Sequence, residues 1–202
     1  MRGRSGAGLV GCLLLGALLG GCATAPTTVP PAPEATWQAH RAAVAALQHW
    51  QARGRIAVRA GEEGWNAAFD WQQRGDSYLV RLRGPFGQGG VELRGDPRGV
   101  WLRRNGHPPV FATDPETLLV QQTGWRLPLS GLGAWLKGMP ERGQDRELQW
   151  DSGGRLLRLQ QRGWHIDYQG YGRIDGVDLP RKLKLKRDSL EVRLVIDRWQ
   201  VS

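Results

Sequence analysis

Cysteine is almost absent from this 202-residue chain, which has Cys12 and Cys22 and no other. Cys12 falls inside a segment that reads as a removable export signal. The mature chain then keeps Cys22 alone and cannot close an internal disulfide. The same count excludes a Cys/His metal cluster. Serine is scarce, no Gly-x-Ser-x-Gly elbow occurs, and no Gly-Lys-Ser/Thr loop offers a cradle for nucleotide phosphates. The four histidines, His40, His49, His107 and His165, are scattered outside any His-Glu-x-x-His pattern, and each reads as a surface or satisfied polar residue. The glycines Gly84, Gly87, Gly89 and Gly90 sit between two strand-like runs rather than before a helix, so turn geometry explains them better than a nucleotide fingerprint. No catalytic residue, metal or cofactor is expected, there is no internal repeat, and the chain reads as a non-enzyme.

Long hydrophobic runs are also lacking. Arg2 and Arg4 precede an uncharged stretch, residues 5–21, that is too short and Gly-rich for a spanning helix and suits an export signal. It ends in Leu19-Gly20-Gly21-Cys22. A bulky apolar residue, two small ones and then Cys form a lipobox: small residues fit an extended protease cleft, and the Cys22 thiol takes the diacylglyceryl group. Residues 1–21 are therefore assigned to a lipoprotein signal peptide and Cys22 to lipidation, against the alternative of an ordinary secretory signal with a chance Cys. Residues 22–35 carry Pro26, Pro30, Pro31 and Pro33 among Ala and Thr, a composition that buries nothing and serves as a tether. Ala23, where an Asp would favour inner-membrane retention, points to the outer membrane, with the domain facing the periplasm. Losing residues 1–21 removes two arginines and no acid, which leaves 26 basic against 19 acidic residues and a net charge of +7. Such a surface favours anionic partners, and export sets nucleic acid aside. Residues 36–202 suffice for one domain with a single core, expected to act as a monomer.

What is present is patterned. Thr36 is placed to cap a first helix, with Trp37, Val44 and Leu47 at helical spacing and an end near Gly54. Beyond it the period becomes two: Ile56 and Val58 oppose Arg55, Ala57 and Arg59, and Trp65, Ala67, Phe69 and Trp71 oppose Asn66, Ala68 and Asp70. Tyr78, Val80 and Leu82, then Val91 and Leu93, then Val100 and Leu102 repeat the alternation between Gly- and Asp-containing turns. Asp114-Pro115-Glu116 starts a helix that Gly124 ends, and Ser130 to Gly138 forms another. Strands resume at Leu148 and Trp150, Leu157 and Leu159, and Trp164, Ile166 and Tyr168. The last pair runs Leu183 and Leu185 against Leu190, Val192, Leu194 and Ile196, turned near Arg187-Asp188-Ser189. The fold class is mainly β with α: a strongly curved antiparallel sheet, an incomplete β-barrel, with about three helices covering its apolar interior. Ten Trp on one-sided strands suggest a concave face that wraps an apolar ligand, although any single Trp is more simply core.

Between two of these strands, Arg83-Gly84-Pro85-Phe86-Gly87-Gln88-Gly89 makes a rigid, glycine-flanked turn. Phe86 has few neighbours at such a tip; it either folds back onto the domain or protrudes into a bilayer. At this point the residues resemble the LolB family of outer-membrane lipoprotein receptors. The resemblance rests on Leu19-Gly20-Gly21-Cys22, Trp37 with His40, Gly54-Arg55, Phe69-Asp70-Trp71-Gln72-Gln73 and Gly84-Pro85-Phe86-Gly87. It continues through Leu127-Pro128-Leu129, Trp135-Leu136-Lys137-Gly138-Met139-Pro140 and Gly163-Trp164-His165-Ile166-Asp167-Tyr168. It implies a chain that accepts cargo lipoproteins from a LolA-like periplasmic carrier and inserts them into outer-membrane phospholipid without ATP. It also implies a membrane-insertion loop at Pro85, Phe86 and Gly87, where the family often has Leu at the tip. The acyl-chain cavity would then be lined by Trp65, Phe69, Trp71, Tyr78, Val80, Leu82, Val91, Leu93, Trp135 and Trp164. Three acyl chains expose on the order of forty methylenes at about 0.8 kcal/mol each, a penalty of roughly 30 kcal/mol that a handover between apolar cavities avoids. Arg81, Arg83 and Arg94 are expected to orient an acidic carrier or anionic lipid. The alternatives are an outer-membrane scaffold whose concave face is filled by its own side chains, and, less favoured, an exported hydrolase.

Overall fold

From Trp50 to Val58 every second residue is buried, while Arg53, Arg55 and Ala57 face outward. That period of two is what a strand with one face on a core requires. The computed structural model describes residues 34–85, 90–143 and 146–202, all within the unit Pro31–Ser202. The assigned signal peptide, Cys22, Phe86 and Gly87 lie outside the described residues. The elements run α1 (Glu34–Ala45), β1 (His49–Ala60), β2 (Glu63–Arg74), β3 (Ser77–Arg83), β4 (Val91–Asp96), β5 (Gly99–Arg104) and β6 (Val110–Ala112). They continue with α2 (Pro115–Thr123), α3 (Leu129–Leu136), β7 (Arg146–Trp150), β8 (Leu156–Gln161), β9 (Trp164–Ile174), β10 (Val177–Arg187) and β11 (Leu190–Val201).

The strands form one eleven-stranded antiparallel sheet in the order β6-β5-β4-β3-β2-β1-β11-β10-β9-β8-β7. Two meanders therefore meet where the last strand returns to pair with the first, from Trp50 opposite Val201 to Ala60 opposite Leu190. The sheet does not close into a barrel: β6 and β7 are its two edges, and α2 and α3 bridge between them in sequence. The expected curved, mainly β architecture is the architecture observed, and the described residues form three helices where about three are expected. No described helix is long and apolar enough to cross a membrane.

The first helix is shorter than its periodicity suggests. It ends at Ala45 rather than near Gly54, and it begins at Glu34, so Thr36 lies in its first turn instead of capping it. Trp50, Ala52 and Gly54 belong to β1, because pairing with β2 and β11 outweighs local helix preference. Trp37 and Val44 bury one side of α1, and Trp37 stacks on Trp150 of β7 at 5.7 Å. By contrast, α2 follows its local signals. Asp114 Oδ1 accepts from the backbone N–H of Glu116 at 2.9 Å, Pro115 opens the helix, and Gly124, at φ 74°, closes it by donating to the Val120 carbonyl. The long β9–β10 hairpin was not apparent in sequence, since Gly170, Gly172 and Pro180 interrupt its alternation. Its turn at Asp175 and Gly176 has positive φ at both residues, as a two-residue hairpin demands.

Candidate functional site

The apolar side chains of alternating strands converge on the concave face, and α2 and α3 roof it. Leu118 and Leu119 of α2 and Leu129, Leu132, Trp135 and Leu136 of α3 are buried in the same cluster as the strand residues. Of the ten expected cavity residues, Phe69, Trp71, Val80, Leu82, Val91, Leu93, Trp135 and Trp164 are at most 5% exposed. Trp65 is half-buried and stacks on Trp125 at 4.4 Å, and Tyr78 is tilted on Trp71 at 5.5 Å. All ten therefore belong to one contiguous apolar face, packed in this state by the protein's own side chains.

The roof is fastened by polar contacts that sequence reading missed. Gln161, at 2% exposure, accepts through Oε1 from Trp135 Nε1 at 3.0 Å and from the Glu141 N–H at 2.8 Å, and its Nε2 donates to the Glu141 carbonyl at 2.9 Å. Tyr168 adds a hydroxyl bond to the Trp135 carbonyl at 3.1 Å. Nothing local marks Gln161 in sequence, where it reads as one more polar residue before a turn. Gln161→Leu would leave two donors and one acceptor unpaired beneath α3. A loss of about 2–4 kcal/mol is expected, seen as a lowered urea midpoint at unchanged slope.

Along α3, where the β2–β3 and β4–β5 turns gather, a cleft of about 700 Å³ opens. That is within the ~300–1,000 Å³ of small-molecule sites. Trp50, Trp71, Tyr78, Leu129, Ala134 and Met139 give it an aromatic and apolar wall; Asp76, Asp96, Lys137, Glu141 and Arg142 line it as well. Burial pushes the Tyr78 phenol up to about 12, so it stays neutral. Burial and the nearby Arg142 both lower the pKa of Lys137. Of the expected cavity residues, Trp71 and Tyr78 reach this cleft; Trp50 and Lys137 do so without having been singled out.

At the far end of β3, about 20 Å from Tyr78 at ~3.3 Å per residue, Pro85 stands exposed at the start of the expected insertion loop. Around its base, Arg83, Arg103 and His107 are exposed and share a groove of about 610 Å³. Of the three arginines expected to orient a partner, Arg81 is engaged with Glu92 at 3.0 Å. Arg83 and Arg94 are exposed. On the same outer face Trp101 and Phe111 are 50% and 46% exposed and lie 5.2 Å apart. They form a cross-strand pair in which the Phe111 ring lies over Gly99, which stabilises the short edge strand. His49, His107 and His165 are surface residues, as read. His40 is not satisfied: its Nε2 is buried without a partner among the described residues, and burial lowers its pKa against the pull of Asp178 and Asp151. Among the described residues no group of three or more His, Cys, Asp or Glu is placed to hold a metal.

This open antiparallel sheet with an apolar face under helices is a fold that a solved structure shares. A LolA superfamily protein from Nitrosomonas europaea superposes with a TM-score of 0.55 at 11% identity, covering 84% of this chain and 93% of that one. Within that fold class, the family model for outer membrane lipoprotein LolB matches residues 48–199. The chain belongs to the LolB family. It is similar to the outer-membrane lipoprotein LolB of Nitrosococcus oceani, 43% identical over 91% of this chain and 92% of that one. It is also similar to that of Halorhodospira halophila, 40% identical over 100% of this chain and 99% of the relative.

Proposed function

We propose that this protein, anchored in the outer membrane by lipid on Cys22, receives lipoproteins from a soluble periplasmic carrier. It holds their acyl chains against the concave face and sets them in the membrane without nucleotide. The observation that carries this reading is the single apolar face of an open sheet, roofed by two short helices, in a member of the LolB family. A carrier of the same fold would present a like face, so cargo passes between two apolar surfaces and never meets water. Because the interior is packed, acyl chains enter by displacing the roof or through the α3 cleft. The turn that begins at Pro85, at the opposite end of β3 from that cleft, supplies the membrane contact, with Arg83 at its base for anionic headgroups; Arg94 stands opposite Leu79, toward the cleft end.

The test is transfer. Carrier loaded with an acylated lipoprotein is expected to lose its cargo to outer-membrane vesicles that contain this protein, with no nucleotide present, and to keep it on vesicles that lack the protein. Equal retention on both would overturn the reading. A second reading, a scaffold for envelope assembly, draws on the packed interior. It is favoured if the protein binds no fluorescent acylated peptide.

A further inference from the structure

Three indoles crowd together beside the α3 cleft: Trp50 lies 6.1 Å from Trp71 and 5.5 Å from Trp199, centre to centre. Two of them have acceptors. Trp71 Nε1 donates to Gln73 Oε1 at 2.9 Å, and Trp199 Nε1 donates to the Pro180 carbonyl at 2.8 Å. Trp50, at 4% exposure, has its Nε1 buried and without an acceptor among the described residues. Buried donors in native proteins are paired in the great majority of cases, so a donor unpaired within the chain points to an acceptor from outside it. A second donor lies over the face of the same ring. Lys137 Nζ is 6.0 Å from the centre of the Trp50 ring, and its bond is a long one, 3.4 Å to the Leu47 carbonyl. An ammonium has three N–H groups to place. Both residues line the same cleft, with Trp71, Tyr78, Leu129 and Met139 as apolar neighbours. The charges that line the cleft are mixed, Asp76, Asp96 and Glu141 against Lys137 and Arg142, so it is no trap for anions. The acceptor that suits two donors in such a setting is a neutral carbonyl.

We propose that the α3 cleft is a carbonyl-recognition subsite for acyl lipids, in which an ester or amide oxygen accepts from Trp50 Nε1 and Lys137 Nζ while the alkyl chain lies on Trp71 and Tyr78. It deepens the function proposed above and rests on the reading that the protein holds acyl chains. The subsite would place the head of an acyl group in register, so that chains are held at a fixed depth rather than by apolar contact alone.

The test uses the whole mature protein and methyl palmitate labelled with carbon-13 at the carbonyl. Isotope-edited infrared spectra are expected to show the bound carbonyl band shifted to lower frequency than in an apolar solvent. Trp50→Phe and Lys137→Met should each remove part of that shift and weaken binding about fivefold or more. Hexadecyl methyl ether, which has the chain without the carbonyl, should bind wild type and variants alike. An unshifted carbonyl, or unchanged ester affinity in both variants, overturns the subsite while leaving acyl binding intact. Tighter binding of palmitate anion than of its methyl ester overturns the choice of a neutral carbonyl. If wild type binds none of these lipids, the acyl-holding reading itself fails. Should a variant not fold, the wild-type band position still decides.

Discussion

Gly54→Ala is expected to destabilise the domain by about 3 kcal/mol or more, enough to unfold a marginal protein. A Cβ at this position would run into the carbonyl oxygen of Val195, and it would stand 3.0 Å from both Ile196 Cα and Phe69 Cε1. Two of those three obstacles are backbone, so no rotamer change relieves them. Gly54 also sits where the register between β1 and β11 shifts, on the seam that joins the two meanders. Forcing the strands apart there would weaken the pairing that makes eleven strands one sheet. Gly90 provides the contrast: a Cβ added to it meets nothing within 4 Å among the described residues, so Gly90→Ala should change stability by less than about 0.5 kcal/mol. Urea unfolding of both variants checks the pair. A Gly54→Ala protein with the wild-type midpoint would remove this account of the seam.

The second large effect falls on delivery. Phe86→Glu is expected to slow transfer into outer-membrane vesicles by on the order of a hundredfold or more, while leaving the urea midpoint and carrier binding near wild type. Burying a Phe side chain in an apolar medium gains about 1.5–3 kcal/mol, and placing a carboxylate at the same depth costs a comparable amount. The sum of the two, expressed in a rate, gives the stated loss. Phe86→Leu keeps the apolar character and should deliver nearly as well as wild type. Unimpaired delivery by the glutamate variant would sink the insertion-loop proposal, although not the receptor reading, which the transfer assay with wild type addresses.

These two positions differ in how they could be found. The Pro85–Gly87 turn stands out because its chemistry is local: a rigid proline, small flanks and one bulky apolar residue between strand-like runs. Gly54 looks like an ordinary helix terminator after Trp37, Val44 and Leu47, so local spacing carries the expected helix as far as this glycine. Only the approach of Val195, 141 positions further along the chain, reveals why a side chain is excluded. The same contrast separates α2 from Gln161. The caps of α2 lie within ten residues of each other, whereas Gln161 meets Trp135 and Glu141 across 26 and 20 positions.

By itself the sequence determined which face of β1 to β5 and of β11 is apolar, how α2 starts and stops, and that the chain is a mainly β protein with a few helices; in β8 it misplaced the face, since Leu156 is buried and Leu157 is exposed. These depend on residues one to four positions apart, within reach of the strand and helix periods and of capping chemistry. The tertiary structure alone decided that β11 returns to pair with β1, that Trp50 lies in a strand instead of the first helix, and that Gln161 fastens the roof. It also decided that Trp50 and Lys137 share a cleft with a donor left over. Periodicity reports that a face is buried but not against what, and a hydrogen bond's satisfaction depends on partners that only the closed fold brings within about 3 Å.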